Sequence, residues 1–505
     1  MSSNTRIHNP GLQRKVCSAE EAARLIQHGD TVGTSGFTGS GYPKIVSLAL
    51  AEYIEQNHAE GKEFKIKLLT GASTGPELDG ALAKANGVSY RAPYNSDPIM
   101  RERINKGDTN YFDCHLSHTP GLFRNGALGD LDVAIIEITA IKEDGQLIPA
   151  TSLGNNQLWL DRAKKVILEV NSWQSPEFEG IHDVWEDRST FFPKQIINIH
   201  KPGDRIGSHY LTVDPEKVIA VVETHAPDRN APFSPVNDSS KRIAGHLVEF
   251  FKHQIKLGRM PENLLPLQSG VGNVANAVMD ALDEGSFENL TAYTEVIQDG
   301  MLSMLESGKM SVASATAFSL SPEKAMYLNT NAQKFKNKVV LRPQEISNHP
   351  GVVRRLGCIA MNGAIEIDIF GNVNSTHVMG TRMMNGIGGS GDFTRNSFIS
   401  IFMTPSLAKN GAISAIVPMV PKVDHIAQDV QAVVTEQGFA DLRGLSPKQR
   451  AQVIIENCAH PSYKPLLKEY YKMALEKSAA LQTPHFLQEA LSWHQNFISK
   501  GTMQR

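Results

Sequence analysis

The chain has 505 residues, 41% hydrophobic and 20% charged, enough for about two or three domains with sizeable cores. Its 50 basic and 53 acidic residues leave a net charge of -3, which argues against a nucleic-acid binder, whose affinity needs excess positive charge. No apolar run is long enough to span a membrane, and Cys17, Cys114, Cys358 and Cys458 lie too far apart for a metal-ligand motif.

Reduced thiols and a cytoplasmic location are the expectation. Residues 1–15 lack an apolar signal core, so secretion is not expected; being basic and free of acids, they leave an organelle presequence open. Helices are predicted over 19–28 and 44–57, on either side of a glycine-rich loop at 33–41. Residues 133–139 read as a strand closed by a turn at Asp144-Gly145, and 218–224 as a second strand. A polar, proline-rich stretch at 228–238 is the expected join between two domains. An amphipathic helix is predicted over 239–256.

The second half repeats this order. A short apolar segment at 264–269 leads to Gly270, Gly272 and Ala275 in a G-x-G-x-x-A pattern, then a helix over 274–284. Pro266 makes 264–269 a poor buried strand. Further helices are expected over 322–334 and 446–458, and strands over 364–370 (turning at Gly371-Asn372) and 430–436. The tail from 461 reads as two amphipathic helices broken near Pro484. Strands alternating with helices in both halves predict two α/β domains derived from a duplication.

Three features carry the chemistry. Residues 290–300 read as a buried strand holding Glu295, with a loop after it at Asp299-Gly300; a carboxylate there needs polar partners or a task. The loop at 270–272 has two readings, close packing of helix on sheet or an anion site at a helix N-terminus, and in the second a nicotinamide dinucleotide remains a rival. The loop at 386–391 concentrates four glycines in six residues, expected where backbone approaches a ligand or forms an anion nest. No serine nucleophile elbow, P-loop or H-E-x-x-H zinc site is present, so the best-placed nucleophile is a carboxylate. Cys114 and Cys358 read as packed thiols, and Asp424-His425 as a satisfied surface pair.

Over residues 33–44, 71–76, 268–277, 295–301, 354–362, 371–393, 435–447 and 490–494, the chain resembles the class I CoA-transferases, most of all their acetyl-CoA hydrolase/transferase branch. The resemblance implies two similar open α/β domains of the CoA-transferase type with the active site between them, 1–228 on the carboxylate side and 229–505 carrying the nucleophile and the CoA site, assembled as a homodimer. It implies Glu295 as nucleophile, with the backbone N–H groups of Val271 and Gly389 as oxyanion hole. Coenzyme A, as substrate and covalent intermediate, would lie along Gly270, Val271, Gly272, Asn273 and Val274, with Asn385, Gly389 and Lys409 also lining its site. Ser73, Arg229, Asn348 and Glu436 would line a small-carboxylate pocket. The implied reaction moves CoA between succinyl-CoA and acetate without a metal; propionyl-CoA:succinate exchange and acetyl-CoA hydrolysis are the related alternatives. A CoA-sensing protein, which needs no nucleophile, is the non-enzymatic one.

Overall fold

The computed structural model describes residues 6–187, 194–230 and 236–504. They fall into two compact units, Met1–Pro232 with Thr291–Leu356, and Phe233–Leu290 with Gly357–Arg505.

The first unit is built on a parallel sheet. Val133–Ile141 is buried along its whole length, as its β-branched, apolar run requires of a strand covered on both faces. The strand order is Asn110–Tyr111, Val88–Ala92, Ile66–Leu69, Thr31–Thr34, Val133–Ile141, Lys165–Asn171, Val218–Thr224, with Leu147–Pro149 antiparallel beside Val133–Ile141 after the expected turn at Gly145. The order reverses between Thr31–Thr34 and Val133–Ile141, which run in parallel with Thr34 beside Ile135. Such a switch point opens a crevice beyond the carboxyl ends of the two strands, and the glycine loop at 35–41 emerges there. The helix Ile45–Ala59 buries Val46, Leu50 and Ile54 against Val32, Ile66, Leu68 and Ile135. Its N-terminus has no side-chain cap of its own; Glu169, from the strand Lys165–Asn171, accepts the backbone N–H groups of Lys44 (2.7 Å) and Val46 (3.0 Å) instead.

The segment from 291 adds further strands to this unit. Val339–Leu341, Met310–Ala315 and Leu290–Tyr293 neighbour one another in that order, and Val296–Gln298 pairs in parallel with Ala317–Ser319. Ser152 bridges to Ala317, which ties the segment to the loop after Leu147–Pro149.

In the second unit Leu267–Ser269, Ile359–Gly363, Ile399–Met403 and Ala432–Thr435 are parallel neighbours, and Gly438–Asp441 closes the row antiparallel. Phe402, Val433, Ile454, Tyr463, Leu467 and Trp493 share one core, so both tail helices, Lys464–Lys477 and Ser492–Lys500, belong to this unit. The helix Asp238–Lys256 starts where Asn237 accepts the N–H of Ser240 at 2.9 Å, and Pro447–Cys458 starts on a Ser446/Gln449 capping box.

Several expectations need correction. Leu267–Ser269 is a fully buried strand: Pro266 stands just before it, where its missing N–H costs no ladder bond, and its carbonyl accepts from Ile359 N. The strand expected over 364–370 shrinks to Glu366–Asp368, because Asp368 Oδ1 accepts the N–H groups of Phe370 and Asn372 and folds the chain into a turn. The helix over 19–28 is only Ala19–Ala23, and that over 322–334 is Pro322–Thr330 followed by a tighter turn at Ala332–Phe335.

Candidate active site

Glu295 does not lie within a strand. It stands at a bend between Leu290–Tyr293 and Val296–Gln298, and Asp299, expected in a loop, opens the helix Asp299–Ser307. The neighbouring chain breaks at the same level: Thr294 N donates to Ser314 O (2.9 Å) and Thr316 N donates to Glu295 O (3.0 Å). The backbone at the bend is thereby satisfied, while the half-buried side chain departs from the pleat. Asn348 Nδ2 donates to Glu295 Oε2 at 3.1 Å. Ser347 Oγ donates to Asn348 Oδ1 at 2.7 Å, so the amide nitrogen is the atom turned to the carboxylate. Phe37, Ala72, Leu116, Val296 and Ala317 form an apolar cluster beside it, with Tyr94 packed on. Desolvation first, and then the negative charges of Glu295 and Asp113, hold the Tyr94 phenol above its usual range.

Of the four expected carboxylate-pocket residues, Asn348 therefore meets Glu295 directly. Ser73 follows Ala72 of the same cluster; it is buried, accepts Ser96 N at 3.2 Å and donates toward Asp79 at 3.4 Å. Arg229 keeps an exposed side chain paired at 3.1 Å with Glu77, whose other oxygen takes the Tyr42 hydroxyl at 2.7 Å. Its backbone N–H donates to Gly39 O at 3.1 Å, so Arg229 is fastened to the first glycine loop. Glu436 lies in the second unit, where Ser406 Oγ and N and Gln437 Nε2 hold its carboxylate. Burial alone would raise that carboxyl, but these donors outweigh it and hold it below the ordinary range.

The expected CoA residues all belong to the second unit. Gly270 leaves the end of Leu267–Ser269 with its N–H on Met361 O at 2.9 Å, and Val271 is 54% exposed. Gly272, at φ 118°, turns the chain into the helix Asn273–Glu284, and nothing lies within 4 Å of the Cβ it lacks. That open conformation suits a backbone meant to meet a ligand. Asn385 Nδ2 is turned onto the carbonyls of Ser375 (3.1 Å) and Gly386 (2.9 Å), and Gly389 is buried at the head of Ser390–Thr394. Lys409 is exposed in a backbone turn with φ 51°.

Two polar clusters escaped the sequence reading. Lys44, 2% exposed, reaches Glu137 (2.6 Å) and Asp228 (2.9 Å), and Asp228 also accepts Gly41 N at 3.0 Å. Burial, reinforced by the nearby charges of Asp228 and Glu169, pushes Glu137 up to about 8 against the opposing charge of Lys44, whose ammonium pairs with both Glu137 and Asp228. This cluster anchors both ends of the Gly39–Arg229 contact; a lysine eleven residues past Gly33 gives no hint of it. The second corrects an expectation: His425 is buried and the Asp424 side chain is 2% exposed, so neither side chain is a surface group. The His425 ring lies on Phe402 with centroids 4.8 Å apart, and Nε2 is within 3.2 Å of Ser375 Oγ and 3.1 Å of Ser390 Oγ, next to Gly389.

Comparison with known proteins extends over the whole chain. The acetyl-CoA hydrolase/transferase N-terminal domain matches residues 2–223 and the corresponding C-terminal domain matches 323–471. A succinyl-CoA:acetate CoA-transferase of Clostridium kluyveri is 49% identical, covering 99% of this chain and 92% of the relative. An acetyl-CoA hydrolase of Schizosaccharomyces pombe (99% of this chain, 98% of the relative) and a propanoyl-CoA:succinate CoA transferase of Escherichia coli (96% and 98%) are each 44% identical. Among solved structures, the 4-hydroxybutyrate CoA-transferase of Porphyromonas gingivalis has the same fold, with a TM-score of 0.62 at 22% identity over 91% of this chain and 98% of that one.

Proposed function

The chain belongs to the acetyl-CoA hydrolase/transferase family, and from that premise we propose that it transfers CoA between succinyl-CoA and acetate through a glutamyl-CoA thioester on Glu295. The observation that carries the reading is the Glu295 carboxylate, lifted out of the strand at a bend and held by Asn348 at 3.1 Å.

The ionised carboxylate attacks the thioester carbonyl of succinyl-CoA. Two backbone N–H groups, those of Val271 and Gly389, receive the oxyanion; one such preorganised donor is typically worth about 3 kcal/mol. Collapse expels CoA thiolate and leaves a mixed succinyl-glutamyl anhydride. The thiolate then attacks the Glu295 carbonyl carbon, succinate departs, and the glutamyl-CoA thioester remains. Acetate attacks that thioester, the thiolate leaves, and its return to the acetyl carbonyl yields acetyl-CoA and restores Glu295. Bonds formed and broken balance at each step, and no proton changes hands, so the cycle calls for no general base.

In this reading CoA lies along Gly270, Val271, Gly272, Asn273 and Val274, with Asn385, Gly389 and Lys409 lining the rest of its site. Ser73, Arg229, Asn348 and Glu436 receive the free carboxylate, Arg229 by its planar fork. Of these four, Ser73 lies in 1–228, and Arg229, Asn348 and Glu436 lie with the nucleophile and the CoA site in 229–505. Hydrolysis is the second reading, favoured by the 44% identity to an acetyl-CoA hydrolase: it requires only that water reach the anhydride or the thioester.

The test is incubation with succinyl-CoA followed by intact-mass analysis and hydroxylamine or borohydride treatment. A CoA adduct at Glu295 is expected. Glu295→Ala should abolish transfer while CoA binding persists by calorimetry; transfer surviving in that variant would sink the mechanism. An acceptor panel of acetate, propionate and water ranks the related activities. We also read the protein as a cytoplasmic homodimer, which cell fractionation and sedimentation velocity would contradict by a membrane-associated or monomeric result.

A further inference from the structure

We propose that the Arg124–Glu345 ion pair fixes Asn348 against the Glu295 carboxylate, a positioning role that rests on reading Glu295 as the nucleophile. Asn348 follows directly on Gln344–Ser347, a helix of four residues. One turn of helix does not sustain itself, since its nucleation is unfavourable and few bonds follow. Its direction must come from outside contacts.

Those contacts are specific. Arg124 Nη1 and Nη2 donate to Glu345 Oε1 and Oε2, both at 2.8 Å, a paired arrangement that fixes orientation as well as distance. The Tyr293 hydroxyl donates to Ile346 O at 2.5 Å, and Gln344 Nε2 donates to Leu116 O at 3.0 Å. Tyr293 stands two residues before Glu295, so the strand leading to the carboxylate and the turn holding its hydrogen-bond donor share an anchor. The Arg124 side chain is 2% exposed and that of Glu345 19%, a setting in which stripping one partner leaves a poorly solvated charge and forces the helix to move.

Arg124 also donates to Glu186 Oε1 at 2.7 Å. Burial, with Asp161 adding and Arg124 opposing, pushes Glu186 up to about 7. From Arg124 the chain of contacts runs through Glu345 to the helix, then from Ser347 Oγ to Asn348 Oδ1, and ends with Asn348 Nδ2 on Glu295. Neither Arg124 nor Glu345 is among the residues read as binding substrate, so both act through Asn348.

The experiment is single-turnover acylation of Glu295 by succinyl-CoA, read by quenched-flow intact mass. It compares wild type, Glu345→Gln, Arg124→Lys, Asn348→Ala and the double variant Glu345→Gln/Asn348→Ala. Glu345→Gln keeps the side-chain volume, and Arg124→Lys keeps the charge while losing the fork. Both should slow acylation on the order of tenfold to a hundredfold, with KM for succinyl-CoA held within about twofold. In the Asn348→Ala background Glu345→Gln should add less than about twofold, because the residue it positions is gone. Misfolded molecules lower the amplitude and leave the rate constant, so partial unfolding does not mask the outcome. Wild-type rates in both single variants, or the same loss with and without Asn348, overturn the inference while leaving the nucleophile intact. No adduct in the wild-type protein overturns the nucleophile and this inference together.

Discussion

Glu295 was the residue the sequence singled out, but its usefulness comes from Asn348, fifty-three positions downstream. A hydrogen bond from a neutral amide to a carboxylate contributes about 1.5–3 kcal/mol, and in the proposed mechanism it fixes which way the nucleophile points. Asn348→Ala should therefore lower kcat by roughly tenfold to a hundredfold with a smaller change in KM, measured by steady-state transfer assay. An unchanged kcat would mean that the 3.1 Å contact plays no part in turnover. Cys358 and Cys458 carry no comparable chemistry: both are buried, and burial pushes both thiols up to about 12.

At the scale of elements, the first glycine loop and Arg229 stand or fall together. Gly39 has φ +79°, and a Cβ there would lie 2.3 Å from the Arg229 carbonyl oxygen. Gly39→Ala must therefore displace either the loop or Arg229, since neither backbone atom can yield as a flexible side chain would. If Arg229 receives the free carboxylate, this variant should raise KM for acetate severalfold, about ten times as a guide, while KM for succinyl-CoA moves less. Equal effects on both would argue against that role. A second element-level prediction concerns His182, which is fully buried with Nε2 2.7 Å from Ala150 O and makes an isolated parallel β-bridge to Leu341. Burial depresses its pKa to about 3, against an ordinary value of 6.5. The folded state thus refuses a proton that the unfolded chain accepts below 6.5: the contribution is whole above that pH and is lost progressively as pH falls toward 3. The opening free energy at Val339–Leu341, from amide protection referenced to the intrinsic exchange rate at each pH, should fall over this window, and His182→Gln should flatten its slope by up to about 1.4 kcal/mol per pH unit. An identical slope in the variant would assign the acid lability to other groups.

For the whole molecule, the reading makes the distant part of CoA a contributor to rate rather than only to affinity, because binding energy realised in the transition state raises kcat. Succinyl-pantetheine should then turn over with kcat lowered by at least about a hundredfold, beyond any rise in KM; a pure KM effect would show that the nucleotide serves affinity alone. Much of the molecule was legible in advance. The all-apolar run of Val133–Ile141, the heptad-like face of Asp238–Lys256 and the Ser446 capping box each specify their own conformation through contacts a few residues long. The glycine loops and the isolated acid marked where chemistry was to be sought. Local pattern failed at Pro266, whose place just ahead of Leu267–Ser269 only the parallel pairing with Ile359–Gly363 reveals, and at His425, which reads as a surface group until Phe402 and the loop around Ser390 cover it. The sequence by itself determined the alternation of strands and helices and the candidate nucleophile, because periodicity and glycine placement act over short stretches of chain. Only the tertiary structure decided that Asn348 donates to Glu295, that Glu345 answers to Arg124 and that Lys44 lies among three carboxylates, because such partners are chosen by which strand ends the sheet brings together.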